Sequence, residues 1–118
     1  FNTWIPNVTL DSASNYNVDA GVFTVKTSGA YAVSASVTTL GGANPDGYNA
    51  MQLQWQLNGS DANVNGLANH TNASVHHLTC NGIIVATEGD TILLAYKTQD
   101  ASVLISNANS NYSIQLLG

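Results

Sequence analysis

Charge is what this 118-residue sequence has least of: two basic residues, Lys26 and Lys97, against seven acidic ones, for a net charge of −5. Displacing counterions from phosphates takes clustered Lys and Arg, so nucleic acid is not an expected partner. An anionic membrane surface is disfavoured for the same reason. Long solvent-facing helices draw on Glu, Lys and Arg, and the shortage speaks against them. No apolar run reaches the ~20 residues of a membrane-spanning helix, and no leader peptide pattern is present, so membrane insertion is not expected. Cys80 is the lone cysteine, which excludes an intrachain disulfide. Flanked by Leu78 and Ile83, it reads as a small buried apolar side chain.

Asn, Ser, Thr and Gly take over the solvating work, and the apolar residues recur with period two. In Met51-Gln52-Leu53-Gln54-Trp55-Gln56-Leu57 every odd position is large and apolar and every even one is Gln. Side chains alternate across a strand, so this segment has a core face and a polar face. It ends at Asn58-Gly59, a pair suited to the positive φ angles of a tight hairpin, and Asn65-Gly66 and Asn81-Gly82 repeat that chemistry. Residues 29–40 read as a second strand, with Tyr31, Val33, Ala35 and Val37 on one face. Ala32, Ser34, Ser36 and Thr38 share the other, a small, mildly polar surface suited to cover by another sheet or a neighbouring subunit. Residues 91–97 are apolar on both faces and predict a central, doubly covered strand. Residues 103–105 and 112–117 complete the set. A chain of this length buries about two-thirds of its unfolded surface in one core. The expectation is a single all-β domain over 1–118, built as a sandwich or jelly roll.

Gly21-Val22-Phe23-Thr24 followed by Gly29-Ala30-Tyr31 reads as two short strands joined at a glycine turn, each with an aromatic turned inward. This segment, with Tyr16-Asn17-Val18-Asp19 before it, Glu88-Gly89-Asp90 leading into Ile92 and Leu94, and Ser110-Asn111-Tyr112-Ser113 closing at Leu116-Leu117, resembles the C1q/TNF-like jelly-roll superfamily along nearly the whole chain. The resemblance implies a ten-stranded antiparallel jelly-roll sandwich that works as a homotrimeric head. It carries over no cysteine pairing and no calcium-ligand cluster. Independently of the family, Gly29 and Gly89 are read as turn glycines, and Phe23, Tyr31 and Tyr112 as fillers of the space between two sheets. The Asn/Thr/Ser-rich surface is similar in style to tips of bacterial collagen-like proteins, bacterial adhesive fibres and phage fibres. Starting at Phe1 inside a first strand, the chain is expected to be the C-terminal head of a longer fibre or stalk protein.

Catalytic chemistry is not expected. Gly-x-Ser-x-Gly, a phosphate-cradling loop and a dinucleotide fingerprint are all missing from the sequence. Of the carboxylates that could pair for glycoside hydrolysis, Asp46 sits in Pro45-Asp46-Gly47 and Glu88 and Asp90 flank a turn glycine, so turn roles account for them; Asp61 is the remaining candidate. His76 and His77 are strand neighbours pointing to opposite faces, and His70 is expected in a loop before them, so no metal site and no cofactor is read. A histidine near a three-fold axis would make assembly pH-sensitive. Five Asn-x-Ser/Thr sequons (Asn7, Asn58, Asn69, Asn72, Asn111) arise readily in so Asn-rich a chain.

If the C-terminal strand runs from apex to base, counting back through antiparallel strands puts the loops at 58–61, 87–90 and 106–110 at the apex, with 41–48 and 70–74 towards the base. Asn58, Ser60, Asp61, Glu88, Asn107 and Asn109 then form the candidate ligand-binding set, because such groups offer sugar hydroxyls both donors and acceptors. Trp4, Tyr48 and Tyr112 are the candidate aromatic platforms. The expected function is a trimeric fibre-tip adhesin or receptor-recognition head, extracellular or on a cell or virion surface, that binds a receptor or glycan. The alternative is a trimerisation module with no ligand of its own.

Overall fold

The Met51–Leu57 alternation sits at the centre of the observed fold. In the computed structural model, which describes residues 2–3, 16–17, 21–40, 48–71, 76–98, 104–105 and 110–117, these residues form the greater part of one long strand of an all-β, antiparallel sandwich. Its elements are β1 (Asn2–Thr3), β2 (Tyr16–Asn17), β3 (Val22–Thr24), β4 (Gly29–Leu40), β5 (Tyr48–Leu57), β6 (Ser60–Thr71), β7 (His76–Ala86), β8 (Thr91–Thr98), β9 (Leu104–Ile105) and β10 (Asn111–Leu116). Among the described residues that makes seven strands of three or more residues, three two-residue segments and no helix.

The first sheet runs β2-β3-β8-β5-β6, with β1 beside β8; the second runs β10-β4-β7, with β9 beside β4. All pairings are antiparallel. Strands consecutive in sequence often lie in different sheets. Thus β3 and β4, read as neighbours across a glycine turn, do not pair, and the link between them crosses from one sheet to the other.

Period two then decides what is buried. Leu53 and Trp55 of β5 and Ile92 and Leu94 of β8 point inward from the first sheet. They meet Tyr31, Val33, Ala35 and Val37 of β4 and Leu78, Cys80, Ile84 and Ala86 of β7. Each large side chain so buried contributes about 1.5–3 kcal/mol. Cys80 behaves as the small apolar residue expected, and burial pushes its thiol pKa up. The Trp55 indole donates from Nε1 to the Cys80 carbonyl at 3.0 Å, tying β5 to the opposite sheet. Its ring stacks on Tyr112 with centroids 5.3 Å apart. Tyr112 is therefore half-buried between the sheets and not a free platform. Phe23 and Tyr31 meet edge to face at 5.8 Å, as two inward aromatics should.

β8 is the central strand anticipated, flanked by β5 on one side and by β3 and β1 on the other. On its outer face Ala95 is buried, Leu93 half-buried and Lys97 exposed, so the second covering is partial.

Several turn assignments need correction. Asn58-Gly59 is the hairpin expected, with φ of 53° and 80°. Asn65-Gly66 and Asn81-Gly82 are not turns but lie inside β6 and β7, and His70 lies within β6 and not in a loop. Gly29 is an extended β4 residue, not a left-handed one. Its missing side chain makes room for Leu116, whose Cδ1 would lie 2.9 Å from a Cβ at that position. Gly89, at φ 94°, is the turn glycine expected.

Candidate functional site

Strand direction sorts the candidate residues. β4 runs from Gly29, opposite Ala86, to Leu40, opposite Leu104. β10 runs the other way and finishes at Leu116 opposite Tyr31. The turns at 25–28, 58–59 and 87–90 therefore gather at the end where β10 finishes, opposite to where the count from the C-terminus put the last two. Asn107 and Asn109 lie outside the described residues. Leu104 and Ile105 pair with Leu40 and Thr39, and the Thr38 amide donates to Ser110 Oγ at 2.8 Å. Of the apex set, Asn58, Ser60, Asp61 and Glu88 share one end. The count failed after residue 90: it took 103–105 as a strand that reverses into the last one, whereas β9 and β10 both run antiparallel to β4 and so point the same way.

At the turn end the polar side chains are occupied with each other. Asp90 accepts from the Asn58 side-chain amide at 3.0 Å and from the Thr87 amide at 2.9 Å. Asn58 Oδ1 in turn accepts from the Thr91 amide at 2.9 Å. The Glu88 amide donates to Ser28 Oγ at 2.8 Å, and the Gly89 amide to the Val25 carbonyl at 2.8 Å. These bonds lace the 25–28, 58–59 and 87–90 turns into one knot.

Asp61 has a different internal task. Between Trp55 and Gln56 the register of β5 against β6 jumps from Val64 to Asp61, leaving Ala62 and Asn63 as extra residues of a bulge. Asn63 takes φ 63°, and Asp61 Oδ1 holds it by accepting from the Asn63 amide at 2.7 Å and from Asn65 Nδ2 at 3.1 Å. A short carboxylate that bonds the backbone two residues on is the residue type such a bend needs. Of the four candidates at this end, Ser60 and Glu88 are exposed and bring their side chains to the surface.

The Asp90 carboxyl is held below the ordinary aspartate range, first by the Asn58 side chain and then by the Thr87 amide. A lowered folded-state value means the carboxylate stabilises the fold above the unfolded pKa, and that contribution disappears as pH falls through the folded value. Asp90→Ala should therefore lower the melting temperature at pH 7, with a smaller gap to wild type at pH 2. Thermal melts of both proteins at the two pH values check this; an equal gap at both would disprove the carboxylate's part.

The second surface is the outer face of the β10-β4-β7 sheet, opposite the core. Ala30, Ala32, Ser34, Ser36 and Thr38 line β4; His77, Thr79, Asn81, Ile83 and Val85 line β7; Asn111, Ser113 and Gln115 line β10. Ile83 is 60% exposed and Val85 75%, and Leu117, bonded through its amide to the Ala30 carbonyl, is 54% exposed. At the far end of the same face His77 Nδ1 lies 3.0 Å from Thr38 Oγ1. Among the described residues no charged side chain belongs to this face: Lys26, Glu88 and Asp90 are in the turns, and Asp61 and Lys97 are on the first sheet. The apolar end was legible in Ile83-Ile84-Val85, since three consecutive apolar residues in a strand must send one parity outward. It went unread because no strand was assigned there.

Among the described residues no three His, Cys, Asp or Glu side chains converge as a metal site would require. Compared with protein-family models and with curated proteins, the sequence matches none.

Proposed function

We propose that this chain is a self-assembling recognition head, a homotrimer of C1q/TNF-like jelly-roll subunits that presents its loops to a receptor or glycan on a cell surface. The observation that carries it is the outer face of the second sheet, uncharged among the described residues, with Ile83, Val85 and Leu117 exposed at one end. An acidic chain repels its own copies everywhere except through a face without charge, so a second copy is the occupant this surface favours. The strand order β2-β3-β8-β5-β6 against β10-β4-β7, with repeated crossings between sheets, supports the ten-stranded jelly-roll reading.

The alternative, a trimerisation module without a ligand of its own, draws support from the turn end. Asn58, Asp61 and Asp90 use their side chains on their own backbone and on each other, which leaves fewer groups to offer a sugar. Three weak sites on one trimer would still gain avidity on a dense surface.

Light scattering coupled to size exclusion tests assembly first: the expected mass is three times that of the chain at neutral pH. Val85→Asp places a carboxylate amid the apolar end and should give monomers that melt cooperatively. A wild-type monomer at high micromolar concentration would dispose of the reading. Given a trimer, a glycan array and whole-cell binding separate the head from the plain trimeriser.

A further inference from the structure

We propose that Asn58 is a modification site. In the folded protein its side-chain amide is lost through attack by the Gly59 backbone nitrogen, and the carboxylate left behind loosens the knot of turns around Asp90. The reaction needs only water and is independent of whether the chain is a trimeric head.

Glycine after asparagine favours this chemistry, because it has no side chain to hinder its nitrogen and leaves its backbone free to turn. The glycine nitrogen gives its proton to water or hydroxide and bonds to the Asn Cγ. The bond from Cγ to Nδ2 breaks, and Nδ2 leaves as ammonia with a proton from solvent. Water then opens the five-membered succinimide at either carbonyl, giving aspartate or isoaspartate. In sum, one amide and one water become one carboxylate and one ammonium ion.

The sequence contains three such pairs, Asn58-Gly59, Asn65-Gly66 and Asn81-Gly82, and the fold treats them differently. The Leu117 amide donates to the Ala30 carbonyl, so even-numbered residues of β4 turn their backbone groups to β10 and odd-numbered ones to β7. Val33, opposite Gly82, thus ties the Gly82 amide into the ladder. The Asn58 amide donates to the Thr91 carbonyl at 2.9 Å, so odd-numbered residues of β5 turn to β6. Leu53 therefore ties in the Gly66 amide in the same way. Both nitrogens must be opened out of a sheet before they can attack. Gly59 is instead the exposed second residue of the hairpin tip, where a Cβ would meet no atom within 4 Å. Among the described residues no backbone carbonyl accepts from its amide.

The Asn58 side chain is also set for the attack. Its Oδ1 accepts from the Thr91 amide at 2.9 Å, and this is the oxygen that gains negative charge when the nitrogen adds to Cγ. Nδ2, the leaving nitrogen, donates to Asp90 Oδ1 at 3.0 Å. After the reaction an acidic oxygen stands where that donor was. Two carboxylates then face each other at hydrogen-bond distance, and like charges so close resist ionising together. The donor that held the Asp90 carboxyl below its ordinary range is gone. The other charged side chains at this end, among the described residues, are Lys26, Asp61 and Glu88, so acid already exceeds base there.

Peptide mapping by mass spectrometry follows all three pairs at pH 8, in the folded protein and in protein unfolded by urea. In urea the three should convert at comparable rates. In the folded protein Asn58 should convert roughly tenfold or more faster than Asn65 and Asn81, whose glycines need an opening step. An acidic form with net charge −5 − 1 = −6 should appear alongside. Asn58→Gln should not produce it, because the longer side chain would have to close a six-membered ring. Conversion of Asn65 or Asn81 as fast as Asn58 overturns the proposal. So does a folded protein whose Asn58 stays intact while the same residue converts in urea; the bonds to Asp90 and Thr91 would then be a guard. Asn58→Asp reproduces the aspartate product, and Asp tolerates the positive φ as Asn does. It should melt below the wild type at pH 7. Repulsion raises the folded-state pKa of the pair, so the deficit should narrow as pH falls to 3. A variant that melts with the wild type at pH 7 overturns the loosening of the knot.

Discussion

Trp55→Ala is expected to cost about 3–5 kcal/mol, the range for emptying a large aromatic from a core. Trp55 is fully buried at 0% exposure and is the largest side chain so enclosed. Three separate contributions go with it. The apolar area between the sheets is lost, the offset stack on Tyr112 is lost, and the Cys80 carbonyl loses the indole donor that reaches it from the opposite sheet. Small domains hold about 5–15 kcal/mol in total, so this single change removes a large part of the stability. Trp55→Phe separates the terms. It keeps most of the ring and the stack but not the N–H, and it should cost about 1–2 kcal/mol, the size of one buried hydrogen bond and some lost area. Urea unfolding followed by circular dichroism measures both, because fluorescence would be changed by the substitution itself. A loss below about 1 kcal/mol for the alanine variant would mean that Trp55 does not link the two sheets.

The same residue shows why the core was legible in the sequence. Met51–Leu57 alternates so regularly that one face had to be buried, and the strand at 29–40 has the same clarity. Where alternation is strict, each residue carries one bit of information about its side, and the two assignments reinforce each other. β6 and β7 do not give that signal. Half of residues 60–71 are Asn, Ala or Asp, and the bulge at Ala62-Asn63 breaks their parity. In β7, Asn81-Gly82 has the composition of a turn but is an extended pair. There the glycine is demanded by a close neighbour and not by a positive φ, and a distant neighbour leaves no trace in local sequence. Counting 103–105 as a strand that turns back into the last one reversed the ends, because β9 and β10 both run antiparallel to β4. That is why Asn58, Asp61 and Glu88 were assigned to the apex along with Asn107 and Asn109. A surface such as Ile83/Val85 is legible in principle, but only once the strand that carries it has been recognised. The tasks of Asp61 and Asp90 needed the fold itself, since their partners are set by a bulge and by turns that meet only in three dimensions.

Gly82→Ala provides the second large effect and a direct check on that close neighbour. Gly82 is an inward position of β7, opposite Val33. A Cβ there would lie 2.8 Å from both methyl carbons of Val64 on β6, well inside contact distance. The two strands belong to different sheets, and Cys80 Sγ also reaches the Val64 carbonyl at 3.5 Å, so the sheets close on each other along this seam. Val64 follows directly on the Asp61-held bulge and has little freedom to withdraw. Inserting a methyl into a packed site costs about 1–3 kcal/mol, and Gly82→Val should fall at or above the top of that range. Val64→Ala alone removes half-buried methyl groups and should cost about 1–2 kcal/mol. Combined with Gly82→Ala it opens the space the new methyl needs, so the double variant should be more stable than the sum of the two losses predicts. A favourable coupling of about 0.5–3 kcal/mol, from urea unfolding of the four proteins in the cycle, is the expected result. Strict additivity would mean that β6 moves aside freely, and the seam between the sheets would then not be the rigid contact that Asp61 and its bulge are positioned to maintain.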